Sequence, residues 1–158
     1  MRVGLGYDIH RLTPGRRLVL GGSEIPSAFG LEGHSDADVL LHAIMDALLG
    51  AASLGDIGSH FPPSDERFRD VSSLDLLARV RDLVRGNGYR VTNVDAVLVA
   101  EQPRIAPHVP EMRRRISGVL EINQDAVGIK ATTNEGVGPE GRAEAISAQA
   151  VALIEAVT

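Results

Sequence analysis

The sequence predicts one layered α+β domain spanning residues 1–158, and three observations carry that expectation. Segments of strand character alternate with segments of helical spacing, Gly, Pro and Asn punctuate them at short intervals, and no linker, repeat or low-complexity stretch divides the chain. With 158 residues, 44% of them apolar, the chain is long enough to bury a core.

The elements follow in order. Residues 2–9 alternate loosely and end in Tyr7-Asp8-Ile9-His10, a strand leading into a site. Arg17-Leu18-Val19-Leu20 is a short strand that Gly21-Gly22 turns back toward Glu24-Ile25. A strongly apolar run predicts a helix over 36–52, with Ser35 and Asp38 spaced as a capping box and acidic residues suited to the helix dipole. His42, Asp46 and Ser53 interrupt this run, which marks a buried helix and not a membrane span. Residues 55–63 form a polar, proline-containing loop. Leu74, Leu77, Val80 and Leu83 recur at helical spacing over 72–85, and Gly86-Asn87-Gly88 stops that helix. Val-rich 89–100 reads as a long strand, 107–120 as a helix and 127–133 as a strand. Alanine-dense 141–157 is expected to be a final amphipathic helix. His60 and His108 read as surface or helix-start residues, and Arg113–Arg115 as a solvated or interfacial face.

Composition excludes several function classes. A net charge of −5 and only 3% aromatics, with no Trp, argue against a nucleic-acid binder. The absence of cysteine rules out disulfides and thiolate metal sites, so any metal must be held by His and carboxylate. The N-terminal residues have no signal-peptide architecture, and a cytoplasmic protein is expected, without a membrane partner. Lys130 is the only lysine, so the basic residues are almost all Arg.

Chemistry-bearing residues gather in two places. Asp8 and His10 are two apart on a strand, so their side chains share a face with Cα atoms roughly 6.5–7 Å apart. That spacing suits two ligands of one ion, although a hydrogen-bonded pair at a strand end accounts for it as well. His42 lies in the apolar helix, with Asp38 and Asp46 on the same face one turn either way. Alone it reads equally as a core histidine. Together, two histidines and an aspartate leave one coordination position open, the pattern of a catalytic zinc, with Asp46 a candidate partner for a ligand imidazole. The second place is Thr132-Thr133-Asn134-Glu135 followed by Gly136-Val137-Gly138-Pro139-Glu140-Gly141. Its glycines match a dinucleotide fingerprint, but too little chain follows for the second strand that fingerprint requires. A glycine-rich turn before a helix still suits a phosphate, with Arg142 and the threonines as donors. Glu135 fits there if a second, oxygen-loving cation such as Mg²⁺ intervenes. His34, ahead of the helix, can donate to a phosphoryl group, and Ser35 caps. Asp56-Ile57-Gly58 is an acidic turn able to bind hydroxyls.

These segments resemble the 2-C-methyl-D-erythritol 2,4-cyclodiphosphate synthase family over essentially the whole chain. The resemblance rests on residues 2–10 (Arg-Val-Gly-Leu-Gly-Tyr-Asp-Ile-His), His34-Ser35-Asp36-Ala37-Asp38 with His42, Gly55-Asp56-Ile57-Gly58, and Lys130-Ala131-Thr132-Thr133-Asn134-Glu135. It implies a two-layer sandwich with a mostly four-stranded sheet backed by helices on one face, assembled as a homotrimer with active sites between subunits. It further implies conversion of 4-diphosphocytidyl-2-C-methyl-D-erythritol 2-phosphate to the cyclic diphosphate with release of CMP. In that reaction the substrate's own 2-phosphate attacks its β-phosphate, so the protein positions groups and neutralises charge. Carried onto this chain, Asp8, His10 and His42 hold Zn²⁺, Glu135 holds Mg²⁺ or Mn²⁺, and His34 and Thr133 stabilise the transition state. Asp56 and Gly58 would contact the methylerythritol hydroxyls, and Ser35, Ile57 and Phe61 would also bind substrate. Ala100, Pro103, Arg104, Ile105, Ala106, Ala131 and Thr132 would surround the cytidine, with Arg142 near the phosphates. Arg104 stands where the family usually carries Lys, Pro63 where it is often acidic and Pro139 where it is often aromatic.

Two other classes fit the bare residues. A zinc hydrolase would use Asp46 or Asp38 to activate metal-bound water and release inorganic phosphate. A trimeric binding module for a nucleotide or isoprenoid phosphate would bind tightly without turnover.

Overall fold

Strict alternation shapes the first strand, β1 (Arg2–Pro14). Gly4, Gly6, Asp8 and His10 face the interior layer, whereas Val3, Leu5, Tyr7 and Ile9 face away and stay 67%, 70%, 53% and 39% exposed. The computed structural model describes residues 1–157. Within them a hairpin, β2 (Leu18–Leu20) and β3 (Ser23–Ile25), turns at Gly21-Gly22 as expected. A short strand β4 (Phe29–Leu31) follows, then helices α1 (Val39–Ala52), α2 (Ile57–His60) and α3 (Ser73–Gly86). Strand β5 (Tyr89–Val99), helix α4 (Val109–Leu120), strand β6 (Val127–Thr132), the single turn α5 (Gly138–Gly141) and strand β7 (Ala145–Ala156) complete the chain.

The main sheet has five strands in the order β4-β1-β7-β5-β6, antiparallel except for the β5–β6 pair, which α4 connects. A mostly four-stranded sheet is expected; the fifth strand is the edge β4, three residues that pair with the end of β1 and are too short to show a period.

The larger correction is β7, expected as a helix. Alanine favours helix by intrinsic propensity, but burial here has period two: Ile146, Ala148, Ala150, Ala152 and Ile154 are buried while Gln149 and Val151 are exposed. The alanines are small for a packing reason. Ala148, Ala150 and Ala152 pair with Asp8, Gly6 and Gly4 of β1, and this low surface receives the backbone of α1. A Cβ on Gly4 would stand 2.0 Å from the Ala47 carbonyl oxygen, and one on Gly6 would stand 1.9 Å from that of Ala43. No side chain fits between strand and helix there.

Helix α1 is buried almost all round because it lies between the sheet and α3. Leu40, Leu41, Ile44, Met45, Leu48 and Leu49 are fully buried, each contributing about 1.5–3 kcal/mol by removal from water. The helix begins three residues later than expected. Asp38 caps it, accepting the Leu41 N–H at 3.1 Å, while Ser35 Oγ accepts the Ala37 N–H at 3.2 Å instead of forming a capping box. Ala37, at φ 57°, separates the two turns. The second carboxylate oxygen of Asp38 accepts the Gly22 N–H at 2.7 Å and the first also takes Gly21 N–H at 3.0 Å, which ties the hairpin to the helix start. Among the described residues no helix is long and apolar enough to cross a membrane.

Candidate metal centre and substrate site

Strand β1 and helix α1 bring Asp8, His10 and His42 together. Strand periodicity puts the first two on the face against α1, and the close glycine contact lets the first turn of the helix drop His42 beside them. Asp8 Oδ2 lies 2.9 Å from His10 Nε2 and 3.0 Å from His42 Nδ1, and the two nitrogens are 3.2 Å apart. Ligands at 2.0–2.1 Å from a tetrahedral zinc stand roughly 3.3 Å from one another. The three atoms therefore already form a triangle close to one face of such a tetrahedron, with the fourth vertex free.

Hydrogen bonds behind the site orient the ligands. His10 Nδ1 is 2.6 Å from the Glu32 carbonyl oxygen, which only accepts, so Nδ1 carries a proton and Nε2 faces inward to Asp8. His42 Nε2 points outward to Ser73 Oγ at 3.1 Å and Ser35 Oγ at 3.3 Å. Burial favours the neutral Asp8 carboxyl, but its close contacts with the His10 and His42 imidazoles outweigh it and pull its pKa down to about 2. Burial works against the His10 imidazolium, yet the bond to Asp8 and its negative charge overcome that and raise the His10 pKa.

The remaining carboxylates of α1 serve other ends. Asp46, expected to support a ligand imidazole, accepts the Ile57 N–H at 2.8 Å and so anchors α2 beside the site. Asp38 is fully buried on three backbone donors, and burial with the nearby Asp36 charge lifts its pKa to about 6. Neither lines the cavity at the triad.

A cavity of about 220 Å³ opens over the triad. It brings in His34, Ser35, Ile57, Gly58 and Phe61 from the expected set. Pro63, already singled out as a departure from the family pattern, completes its wall with Phe68 and Leu76, which no spacing in the sequence marked. His34 Nε2 donates to the Asp65 carbonyl at 3.3 Å, linking the cavity to the 61–70 loop. Asp56 is exposed and caps α2, accepting from Ser59 N–H at 2.8 Å and Ser59 Oγ at 2.7 Å.

The other expected residues form a second cluster, at the ends of the parallel pair β5 and β6. Ala131 and Thr132 pair with Leu98 and Val99, and the Ala100 N–H donates to the Thr132 carbonyl at 3.0 Å, so the 100–106 segment starts beside 131–133. Pro103, Arg104, Ile105 and Ala106 continue from there, with Ile105 buried and a cis bond before Pro103. Thr133 Oγ1 accepts the Glu135 N–H at 3.4 Å and lies 3.3 Å from Glu135 Oε1, which holds Glu135 at a left-handed φ of 51°. None of these residues lines the 220 Å³ cavity. The glycine-rich turn does not open a long helix, because β7 follows it; its single helical turn offers no dipole argument for phosphate. Arg142 pairs with Glu144 at 2.9 Å and shares a separate cleft with Pro103.

Fold and site together define an α+β protein in which Asp8, His10 and His42 could hold a metal ion, beside a cavity of about 220 Å³. The chain belongs to the YgbB family, whose profile matches residues 1–155. Proteins named 2-C-methyl-D-erythritol 2,4-cyclodiphosphate synthase are similar throughout: that of Gloeobacter violaceus is 61% identical over 155 residues, 98% of this chain and 95% of the relative. That of Symbiobacterium thermophilum is 63% identical over 154 residues, 98% of each chain. A solved structure of a synthase of that name in its CDP-bound form superposes with a TM-score of 0.90 at 38% identity, covering 98% of this chain and all of that one.

Proposed function

We propose that this chain catalyses the reaction for which its relatives are named. It converts 4-diphosphocytidyl-2-C-methyl-D-erythritol 2-phosphate to 2-C-methyl-D-erythritol 2,4-cyclodiphosphate and releases CMP, a phosphorus–oxygen lyase step of isoprenoid biosynthesis. The observation that carries the reading is the triangle of Asp8, His10 and His42 atoms, with edges of 2.9, 3.0 and 3.2 Å, opening on the cavity that holds His34.

The donor set of two imidazoles and one carboxylate suits Zn²⁺, and Asp8, His10 and His42 would hold it. A bound zinc would neutralise and orient a substrate phosphate at its free position. Glu135, a single exposed carboxylate, suits Mg²⁺ or Mn²⁺, which keep several waters and bind through one or two carboxylates plus substrate phosphates. His34 and the Thr133 hydroxyl donate hydrogen bonds where negative charge grows on the transferring phosphoryl group. Ser35 and the α2 turn at Asp56, Ile57 and Gly58 orient the methylerythritol end, with Phe61 excluding water. The cytidine is held by the 100–106 and 131–132 segments, largely through backbone groups, which leaves the low aromatic content without consequence.

The active form is a homotrimer with sites shared between protomers. Two features support this. The face of the sheet opposite α1 presents Val3, Leu5, Tyr7, Ile9 and Val151 to solvent, an apolar strip that an isolated protein rarely leaves bare. The cavity at the triad is also smaller than the 300–1,000 Å³ usual for ligand sites, and the second cluster lies outside it, as half-sites completed by a neighbour would require.

The test is incubation of purified protein with the diphosphocytidyl substrate, with added divalent metal and after chelation. Metal-dependent release of CMP with the cyclic product is expected. Absence of CMP in the presence of both metals would overturn the reading, and tight binding without turnover would favour a binding module.

A further inference from the structure

Behind His42 lies a pair of residues that the reading so far leaves without a part. Ser73, the first residue of α3, is fully buried, and its Oγ stands 2.5 Å from Asp36 Oδ1 and 3.1 Å from His42 Nε2. Its backbone N–H also donates to Asp36 Oδ2 at 2.8 Å, and the Asp38 N–H donates to Asp36 Oδ1 at 3.2 Å. All three contacts of the Asp36 carboxylate are therefore with donors.

A serine hydroxyl carries one proton, and a carboxylate surrounded by donors only accepts. The short contact to Asp36 thus takes the Ser73 proton. What Ser73 Oγ turns toward His42 is a lone pair, and the 3.1 Å contact is a hydrogen bond in which Nε2 donates. Ser35 Oγ lies farther from the same nitrogen, at 3.3 Å, and accepts the Ala37 N–H. A neutral imidazole has a single N–H, so Nδ1 of His42 presents its lone pair toward Asp8 and His10.

We infer that Asp36 and Ser73 are positioning residues which set the tautomer of His42 and so commit its Nδ1 to a divalent metal. The inference rests on the metal-site reading above and extends it outward by two residues. The two histidines are oriented by different means. The proton of His10 is placed by a backbone carbonyl that substitution leaves in place, whereas that of His42 is placed by side chains donated from the α1 approach and the α3 start. Orientation of metal-ligand imidazoles by such outer partners is typically worth 10–100-fold in metal affinity.

The experiment compares zinc binding by the metal-free full-length protein and by Ser73→Ala, Ser73→Thr and Asp36→Asn, each titrated against a chromophoric chelator, with circular-dichroism melts as the folding control. Alongside, long-range ¹H–¹⁵N spectra of the zinc-loaded unsubstituted protein locate the His42 proton. Ser73→Ala is expected to weaken zinc binding by about 10–100-fold, and Ser73→Thr to restore most of that loss by keeping the hydroxyl. Asp36→Asn reverses the polarity, since its amide donates to Ser73 Oγ and frees the hydroxyl proton for Nε2; its zinc affinity should fall by a similar factor. The zinc-loaded spectrum should show His42 protonated at Nε2. The inference is overturned if folded Ser73→Ala or Asp36→Asn binds zinc as tightly as the unsubstituted protein, or if the alanine and threonine variants are weakened equally. A His42 proton on Nδ1 overturns it without any substitution, which decides the matter even if a variant does not fold. An unsubstituted protein that takes up no zinc at the triad refutes the metal site itself, and the relay with it.

Discussion

Gly6→Ala is the substitution that most directly tests how the fold builds the metal centre. The added methyl would stand 1.9 Å from the Ala43 carbonyl oxygen and 2.8 Å from the Ala47 nitrogen, both backbone atoms of α1 that have no rotamer in which to yield. Ordinary contact lies at about 3.5 Å, so strand and helix must separate by roughly 1.5 Å. His42 immediately precedes Ala43 and moves with it, while Asp8 and His10 stay on the strand. Metal–ligand distances tolerate only about 0.2 Å, so the displacement breaks the three-ligand set. Overpacking should also cost about 1–3 kcal/mol of stability. Zinc stoichiometry by elemental analysis after gel filtration, with a thermal melt, reads both effects. Gly118→Ala is the matched control: it lies in α4 with nothing within 4 Å of the added methyl, and should gain about 0.5–1 kcal/mol through helix propensity. A folded Gly6→Ala protein holding a full equivalent of zinc at unchanged affinity would refute the argument.

Further expectations concern pH, the buried aspartate and assembly. The His10 pKa is raised in the metal-free protein, so its contribution to stability is complete below the ordinary value of 6.5 and is lost as pH rises through the folded pKa. Protons compete with metal for the same nitrogen, so the zinc-induced rise in melting temperature should widen as pH increases from about 6 to 8; a rise independent of pH would contradict this. Asp8, depressed to about 2, contributes stability above 3.8 that is lost as pH falls toward that lower value, visible as an acid limb in the metal-free melt. Asp38→Ala leaves the Gly21, Gly22 and Leu41 N–H groups without an acceptor and should cost on the order of 3 kcal/mol by chemical denaturation. Leu5→Glu, on the bare sheet face, should shift the particle mass from trimer to monomer by light scattering without unfolding it; an unchanged mass would exclude this face from assembly.

Much of this architecture could be read from residue order. Asp8 and His10 were legible because strand periodicity alone puts i and i+2 on one face, and the buried run around His42 because apolar residues filled the helix on all sides. The structure then supplied what joins them, the glycine-to-backbone contact, which depends on residues far apart in sequence. Strand β7 failed for the same reason. Its alanines answer to the helix crossing over them and not to local propensity, so the local signal pointed to the wrong element. Asp46 shares a helix face with His42, yet its partner is the N–H of Ile57, a backbone group with no side-chain signature. Ser73 carried no mark either, because what makes it matter is the meeting of two helix starts.

Strand β1 gives odd and even residues unrelated duties. Even positions supply Asp8, His10 and clearance for a helix, and odd positions form the oily strip on the outside. Single replacements burden one duty at a time, but insertion or loss of one residue within the strand exchanges them wholesale. Leu5 or Tyr7 would then be driven into the helix backbone and the Asp8 carboxylate turned outward. The segment should therefore vary in side chain far more readily than in length, a constraint on its evolution that follows from geometry before chemistry enters.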